Sequence, residues 1–575
     1  MPARHFWLLL LWIFIGAGLR LINLGTLPPW TDESATAVFS LGNSFYDVPL
    51  NQFIKLSTLI EPLQLNESAG IRDVTNLLLT QSTHPPLYFV LTHSWLRLFP
   101  AVDGLVSIWA ARFLSASLGV LAVPAIFYFA QLAFNSLIVA QIAAAMMAIS
   151  PFGIFLALQA RHYTLVILLI IASLSCLLLA LRSVNRGKTI PVWLVVAWIC
   201  INSLGVATHY FFVLTLVSIA IAFMPSIWQQ FKQDRIVLIK SSWRRIYLVG
   251  LGSLVGCLVW LPSIMAVRHS SPTEWIYGSN AASRWLEPIG RFLLWLMSTA
   301  ILLPSSLYDF SLGIIIVAGI LTLMFWIWYL PKILQGLKLQ QKNIDRKEAV
   351  AALSSYLLGA IALFFGFTYI VGMDLTLAGR FQFVYFPIVI VLAAAGLGAI
   401  WNSSMVPTLP EKSPESFWFN PKQNYGKKTV IVFLAVGFLS GIIANLNLGY
   451  LQNHRPDLAI SKIVEGSEAP IAIATTYRHH GQTGRMIGLA WGLKDLPNIK
   501  TPQFFLATEE LPSGSKDSAA ILSQQLAQIE RPIDLWLINF EPEIELASQN
   551  CLPDPEYQDM VGQYKYELYH CRDRQ

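Results

Sequence analysis

The sequence predicts a polytopic α-helical membrane protein with a small α/β domain at its C-terminal end. Three observations carry that prediction. Of 575 residues, 55% are hydrophobic and only 13% charged, roughly half the charged fraction of soluble domains. Apolar stretches of about twenty residues recur through the first 450 positions, each long enough to cross a ~30 Å hydrocarbon core. After residue 450 the composition turns polar, and short apolar runs replace the long ones. The formal charge of +6 then reads as a record of loop orientation, and no nucleic-acid partner is expected.

The spans follow in order. Residues 6–24 form a first apolar run, long for a signal peptide and without a clean small-residue cleavage site, so it reads as an uncleaved span. Further spans are expected at 107–131, 137–157, 163–182, 189–206, 210–226, 246–267, 311–330, 349–371, 382–400 and 428–449, about 11–13 in all if the two short stretches below also cross. Residues 85–99, with His93 and Arg97, and 287–303, with Glu287 and Arg291, suit helices lying along the interface. Residues 1–450 therefore form the membrane domain, with a first external loop at 25–106. The Pro-, Ser- and Lys-rich segment 401–427 reads as a cytoplasmic linker.

Eleven spans with the N-terminus inside place the basic loops 183–188, 227–245, 331–348 and 401–427 on one side, as the positive-inside rule requires. The odd count puts 451–575 outside. There Ala469–Ala474, Phe504–Ala507 and Ile533–Phe540 read as strands and Ala519–Ile529 as a helix. Cys551 and Cys571 lie in this segment and can pair if it is outside; Cys176, Cys200 and Cys257 lie in apolar runs and read as packing residues.

This topology collects unusual polar residues on the outer face. Asp32 and Glu33 open the first external loop, and Thr83–Tyr88, with His84 and Tyr88, closes it. Arg161, His162 and Tyr163 join the third and fourth spans, His209 and Tyr210 the fifth and sixth, and Arg380 enters the tenth. Each has a structural alternative. The acids can be interfacial residues, His84 can end a loop whose prolines fix an extended approach, Arg161 can snorkel, and His209-Tyr210 can belong to an aromatic belt. Taken together they set a carboxylate able to act as general base on the same face as cationic donors able to stabilise a departing phosphate. No cytosolic nucleotide reaches that face, so an activated donor there would be lipid-linked.

In this order and spacing, Asp32-Glu33, His84–Tyr88, Ala-Arg-Phe-Leu-Ser-Ala-Ser-Leu-Gly at 111–119, Ser150-Pro-Phe leading to Gln-Ala-Arg-His-Tyr at 159–163, Thr208-His-Tyr and Gly379-Arg-Phe resemble the GT-C glycosyltransferases. The resemblance covers roughly residues 6–400 and is to the protein-mannosyltransferase-like group that includes the aminoarabinose transferases of lipid A. It implies inverting transfer of a sugar from a polyprenyl-phosphate carrier to a lipid, glycan or protein acceptor. By that resemblance Asp32 is the base or the acid that orients the acceptor, Glu33 orients the acceptor or supports Asp32, and which of the two takes the proton stays open. His84, Arg161 and Arg380 would contact the carrier phosphate, and Tyr88, His162, Tyr163, His209 and Tyr210 would line the substrate site. His84 departs from the Lys-Pro of the aminoarabinose transferases, and Gln159–Tyr163 stands where metal-dependent relatives carry Asp-x-Asp. No obligatory metal or other cofactor is expected. Short loops and the absence of an endoplasmic-reticulum retrieval ending point to a bacterial plasma (inner) membrane. The rival class is a transporter or flippase for a lipid-linked or anionic solute, which would place charges near mid-membrane.

Overall fold

The computed structural model describes residues 2–233, 241–267, 270–277, 284–401, 425–452, 454–496, 502–509 and 517–573. Most of the expected 401–427 linker, with Lys412 and Lys422, lies outside them, as do Arg235 and Lys240. Each of the eleven expected spans coincides with helix. Seven described helices are long and apolar enough to cross a membrane: Ala3–Leu21, Ile108–Phe134, Tyr163–Asn185, Phe212–Lys232, Leu312–Gln340, Ile344–Val371 and Tyr425–Asn445. An eighth forms if Leu137–Ile149 and Pro151–Ala157, bent by 53°, act as one span, and Val192–Thr208 and Phe386–Trp401 are apolar but shorter. The chain is an integral membrane protein. The two stretches assigned to the interface fold as Leu87–Leu96 and Leu286–Ser298, at ~1.5 Å per residue too short to cross a ~30 Å core.

The chain forms two compact units. The first comprises residues 1–23, 115–266 and 275–451. Backbone polar groups in lipid must be satisfied internally, and its helix break shows how. Ser150 accepts from the Gly153 N–H and donates to the Thr299 carbonyl, while Pro151 starts the new helix. Arg20, 1% exposed, donates to the carbonyls of Met147 at 2.8 Å and Ala148 at 2.7 Å, which the break removes from the helical ladder. Elsewhere Trp198 donates to Ser173, Ser173 to Asn202 and Asn202 to Ser253, at 2.8, 2.7 and 2.8 Å, a polar tie across three helices of the kind that joins membrane helices. Gly336 and Gly396 let Leu312–Gln340 and Phe386–Trp401 meet backbone to backbone, since a Cβ at Gly336 would collide with the Gly396 carbonyl.

The second unit comprises residues 24–114, 267–274 and 452–575. Its sheet has strands β1 (Ile54–Lys55), β2 (Ile471–Tyr477), β3 (Gln503–Thr508), β4 (Ile533–Ile538), β5 (Cys551–Val561) and β6 (Tyr564–Cys571), ordered β1-β3-β2-β4-β6-β5. The β3-β2-β4 centre is parallel, and β2 and β4 are buried on both faces, the pattern of strands covered on each side. The three strands expected at 469–474, 504–507 and 533–540 are this centre, and the expected helix is Ser518–Leu526.

Two parts of the sheet were not expected. The β5–β6 hairpin turns at Gly562 and Gln563, both with positive φ, and Cys551 and Cys571 are disulfide-bonded across it. Strand β1 comes from the first loop, and Asn51 ties that loop to β3. Asn51 donates its own N–H to the Leu506 carbonyl at 3.0 Å, and its side chain accepts from the Thr508 N–H at 2.9 Å.

Candidate functional site

In the second unit, the Trp30–Ser34 turn opens the helix Thr31–Ser40. Its two carboxylates have different surroundings. Glu33 is 2% exposed, and one oxygen accepts from the Trp30 N–H at 3.3 Å, capping its own helix. Both oxygens also receive Arg112, Nε to Oε1 and Nη2 to Oε2, each at 2.7 Å. Arg112 further donates to the carbonyls of Leu24 at 3.0 Å, Leu27 at 2.8 Å and Pro28 at 3.2 Å. A guanidinium has five N–H donors, and these five acceptors use them all. Glu33 is thus the anchor that holds the 24–33 segment to Arg112. Asp32, one residue earlier, is half-buried, and its backbone carbonyl accepts from the Thr36 hydroxyl at 3.0 Å.

His84 and Tyr88 lie in the same unit. The helix Ile71–Gln81 stops at Ser82, and His84 Nδ1 sits 3.4 Å from the Ser82 hydroxyl and 3.2 Å from the Thr83 hydroxyl. After Pro85-Pro86 the helix Leu87–Leu96 begins, with Tyr88 fully buried. His93 donates from Nδ1 to the Ser40 carbonyl at 2.8 Å, tying that helix to the C-terminal end of Thr31–Ser40.

In the first unit, the structure brings together residues far apart in the chain. The Pro151–Ala157 helix ends at Leu158, and the turn through Arg161 and His162 starts Tyr163–Asn185. Arg161 is 1% exposed, its backbone carbonyl accepts from the Ser115 hydroxyl at 3.1 Å, and its guanidinium lies 5.8 Å from the Tyr163 ring centre. His162 packs on Tyr163 at 4.6 Å and on His209 at 4.7 Å. His209, between Val192–Thr208 and Phe212–Ala222, accepts the Phe211 N–H on Nδ1 at 3.0 Å and lies 4.9 Å from the Phe383 ring. That bond requires an unprotonated Nδ1, and burial, then the charges of Arg161 and Arg380, pushes His209 down to about 3. The group is a neutral imidazole beside two cations. Arg380 stands over Trp275 at 5.3 Å and Phe381 at 5.6 Å. The Tyr210 ring lies 6.3 Å from that of Trp260.

An ion pair between half-buried Arg291 and buried Asp374 positions the segment that carries Arg380. Arg291 donates to Asp374 at 2.6 Å and to Thr376 at 3.2 Å, and Asp374 accepts from the Thr376 N–H at 3.0 Å. The Trp295 indole donates to the Thr376 carbonyl at 2.9 Å. Sequence reasoning missed Arg112 and Asp374. Arg112 lies within a quoted motif, but its partner is 79 residues away. The signal for Asp374 was an acid within an apolar region whose partner, Arg291, sits on a helix read as interfacial. Among the described residues, no three His, Cys, Asp or Glu side chains gather as a metal would need.

No family model and no curated protein sequence matches the chain. Solved structures do. ArnT from Cupriavidus metallidurans in the apo state aligns over 99% of this chain and 98% of its own, at 12% identity and a TM-score of 0.50. The same protein bound to undecaprenyl phosphate aligns over 98% and 97%, at 12% identity and 0.47. The oligosaccharyltransferase AglB from Archaeoglobus fulgidus, in complex with an inhibitory peptide and a dolichol-phosphate, aligns over 98% of this chain and 74% of its own, at 11% and 0.47. The chain shares the fold of ArnT. That is the GT-C-like architecture expected from the sequence.

Proposed function

We propose that this chain is a membrane glycosyltransferase that moves a sugar from a polyprenyl-phosphate carrier to a lipid, glycan or protein acceptor. The observation that carries the reading is the pair Arg161 and Arg380 flanking neutral His209 among aromatic rings. Guanidinium groups match phosphate oxygens in pairs. The fold shared with ArnT supports it, and ArnT has been crystallised with undecaprenyl phosphate.

In this reading Arg161 and Arg380 bind the carrier phosphate and stabilise the charge it gains as the sugar–oxygen bond breaks. His84 adds a phosphate contact, and Tyr88, His162, Tyr163, His209 and Tyr210 line the sites for sugar and carrier. Asp32 takes the proton of the acceptor hydroxyl. Glu33 serves through Arg112 as the anchor of the Asp32 turn and takes no proton. The chemistry runs on the extracytoplasmic side of a bacterial plasma membrane, on the charge distribution of the loops.

The test is mass spectrometry of lipid-linked sugars and envelope glycans from cells lacking the protein, with and without complementation by Asp32→Asn. A carrier-linked sugar should accumulate and one glycan should disappear, and the variant should restore neither. Full restoration by Asp32→Asn would remove Asp32 as base.

A further inference from the structure

Asp32 belongs to the first external loop in sequence, but much of what surrounds its turn comes from about 450 residues later. The helix His480–Leu493 packs along the segment Pro28–Ser34 within the second unit. His480, Gly484, Gly488 and Gly492 recur every four residues, and residues so spaced share one helix face. A Cβ at Gly488 would collide with the Pro29 carbonyl oxygen, one at Gly484 would lie 3.2 Å from the Thr31 carbonyl, and one at Gly492 would collide with Ile460 and lie 3.1 Å from Pro28 Cγ. Three glycines thus set how closely the residues leading into Asp32 can seat.

His480 begins the same face. Its ring stacks on Phe45 at 5.5 Å and meets Phe39 edge-on at 5.7 Å. Phe39 lies seven residues after Asp32, and positions i and i+7 lie on one side of a helix, so the imidazole packs against the side that carries the carboxylate. Burial, then His479, pushes His480 down to about 4 while Asp32 pulls the other way. An uncharged imidazole can orient a nearby carboxylate through its N–H without forming an ion pair with it. From the same C-terminal segment, His454 stacks on Trp30 at 4.9 Å.

We propose that the His480–Leu493 helix is a positioning element for Asp32, its glycine face seating the Trp30–Ser34 turn and His480 fixing the surroundings of the carboxylate. The proposal rests on Asp32 acting as the base. It gives the C-terminal segment a part in the chemical step in addition to any choice of acceptor.

The test complements cells lacking the protein with Gly488→Ala, Gly484→Ala, His480→Phe and Asp32→Asn. It reads the glycan that the wild-type chain restores, the melting temperature of each purified full-length protein, and the binding of a sugar-free polyprenyl phosphate. In Gly488→Ala the two segments must part by about 1 Å to reach ordinary contact, and a shift of that size can cost about 10²-fold in rate. A loss of this order is expected with unchanged carrier-phosphate binding, and a smaller loss in Gly484→Ala. His480→Phe keeps the stack on Phe45 and loses the imidazole, so it should lower product about tenfold at an unchanged melting temperature. If Gly488→Ala does not fold, His480→Phe and Gly484→Ala decide. Full product in those two, with none in Asp32→Asn, overturns the positioning role and leaves the base in place. Full product in Asp32→Asn overturns both.

Discussion

Two charge centres, one in each unit, show different designs. At Glu33 the charges cancel. One carboxylate and one guanidinium meet through two bonds of 2.7 Å, and every remaining donor of Arg112 ends on a carbonyl. At His209 two guanidinium groups, Arg161 and Arg380, both act on one neutral ring. The first arrangement fixes a backbone segment. The second gathers guanidinium groups, whose paired N–H donors match phosphate oxygens. Burial of a charge is therefore a poor guide to function until the groups around it are known.

The largest expected effect breaks the balanced centre. Arg112→Leu leaves Glu33 buried without its partner, and removing one member of a buried pair typically costs about 3–5 kcal/mol. Arg112→Lys should rescue little, because an ammonium has three donors where five are used. Thermal unfolding of the purified protein measures both. A change of less than about 1 kcal/mol for Arg112→Leu, the size found for exposed pairs, would mean that the Glu33 bridge does not hold the 24–33 segment.

Loss of a guanidinium in the other centre should be read in activity. Arg161→Gln and Arg380→Gln each remove one of the two guanidinium groups that act on His209. Product formation should fall by about 10²–10³, the usual result of losing one donor to a developing oxyanion. Carrier-phosphate binding should weaken with it. A variant that lost stability and kept activity would reverse the contrast between the two centres.

How far these centres could be read from the sequence depends on the range of the interaction. Period and length carry the helices, and the parallel strands 471–477, 503–508 and 533–538 are apolar runs of ordinary strand length. The β5–β6 hairpin escaped because β5 includes Pro553 and Pro555 and exposes most of its length, which erases the alternation that marks a strand. The dipeptide Gly562-Gln563 was the available signal for its turn. Strand β1 has two residues and exists only because β3 pairs with it. At the site, Asp32 and Glu33 were visible as acids beside a span. Their different surroundings were not, because Arg112, 79 residues on, and His480, far beyond it, supply them.

A covalent restraint in the second unit should have an effect of intermediate size. The Cys551–Cys571 disulfide closes a loop of sequence separation 20, for which chain entropy gives about 3 kcal/mol. Cys551→Ser with Cys571→Ser should therefore raise hydrogen exchange across β5 and β6 in the full-length protein. The core about Arg161 and His209 should exchange as before. Unchanged exchange in the hairpin would show that its pairing with β4 suffices without the bond.

The smallest effect tests the logic of sign on a second histidine. His570 on β6 is the inverse of His209: Nδ1 lies 2.7 Å from Asp534 and Nε2 3.2 Å from Asp554. Burial opposes its charge, but the bonds to the two carboxylates outweigh it and raise the proton affinity of His570 above the ordinary imidazole value. The other Asp534 oxygen already accepts the N–H groups of Glu468 and Ala469, at 2.6 and 2.7 Å, so the charged imidazole completes a carboxylate fixed from both sides. The folded state holds this proton to higher pH than the unfolded chain does. Its stabilisation is complete below about pH 6.5, the unfolded imidazole value, and is lost as pH rises through the folded value. Exchange at β6 should accordingly grow faster across that interval than intrinsic amide exchange does, and His570→Gln should remove the excess. An excess that survives in His570→Gln would assign the titration to another group.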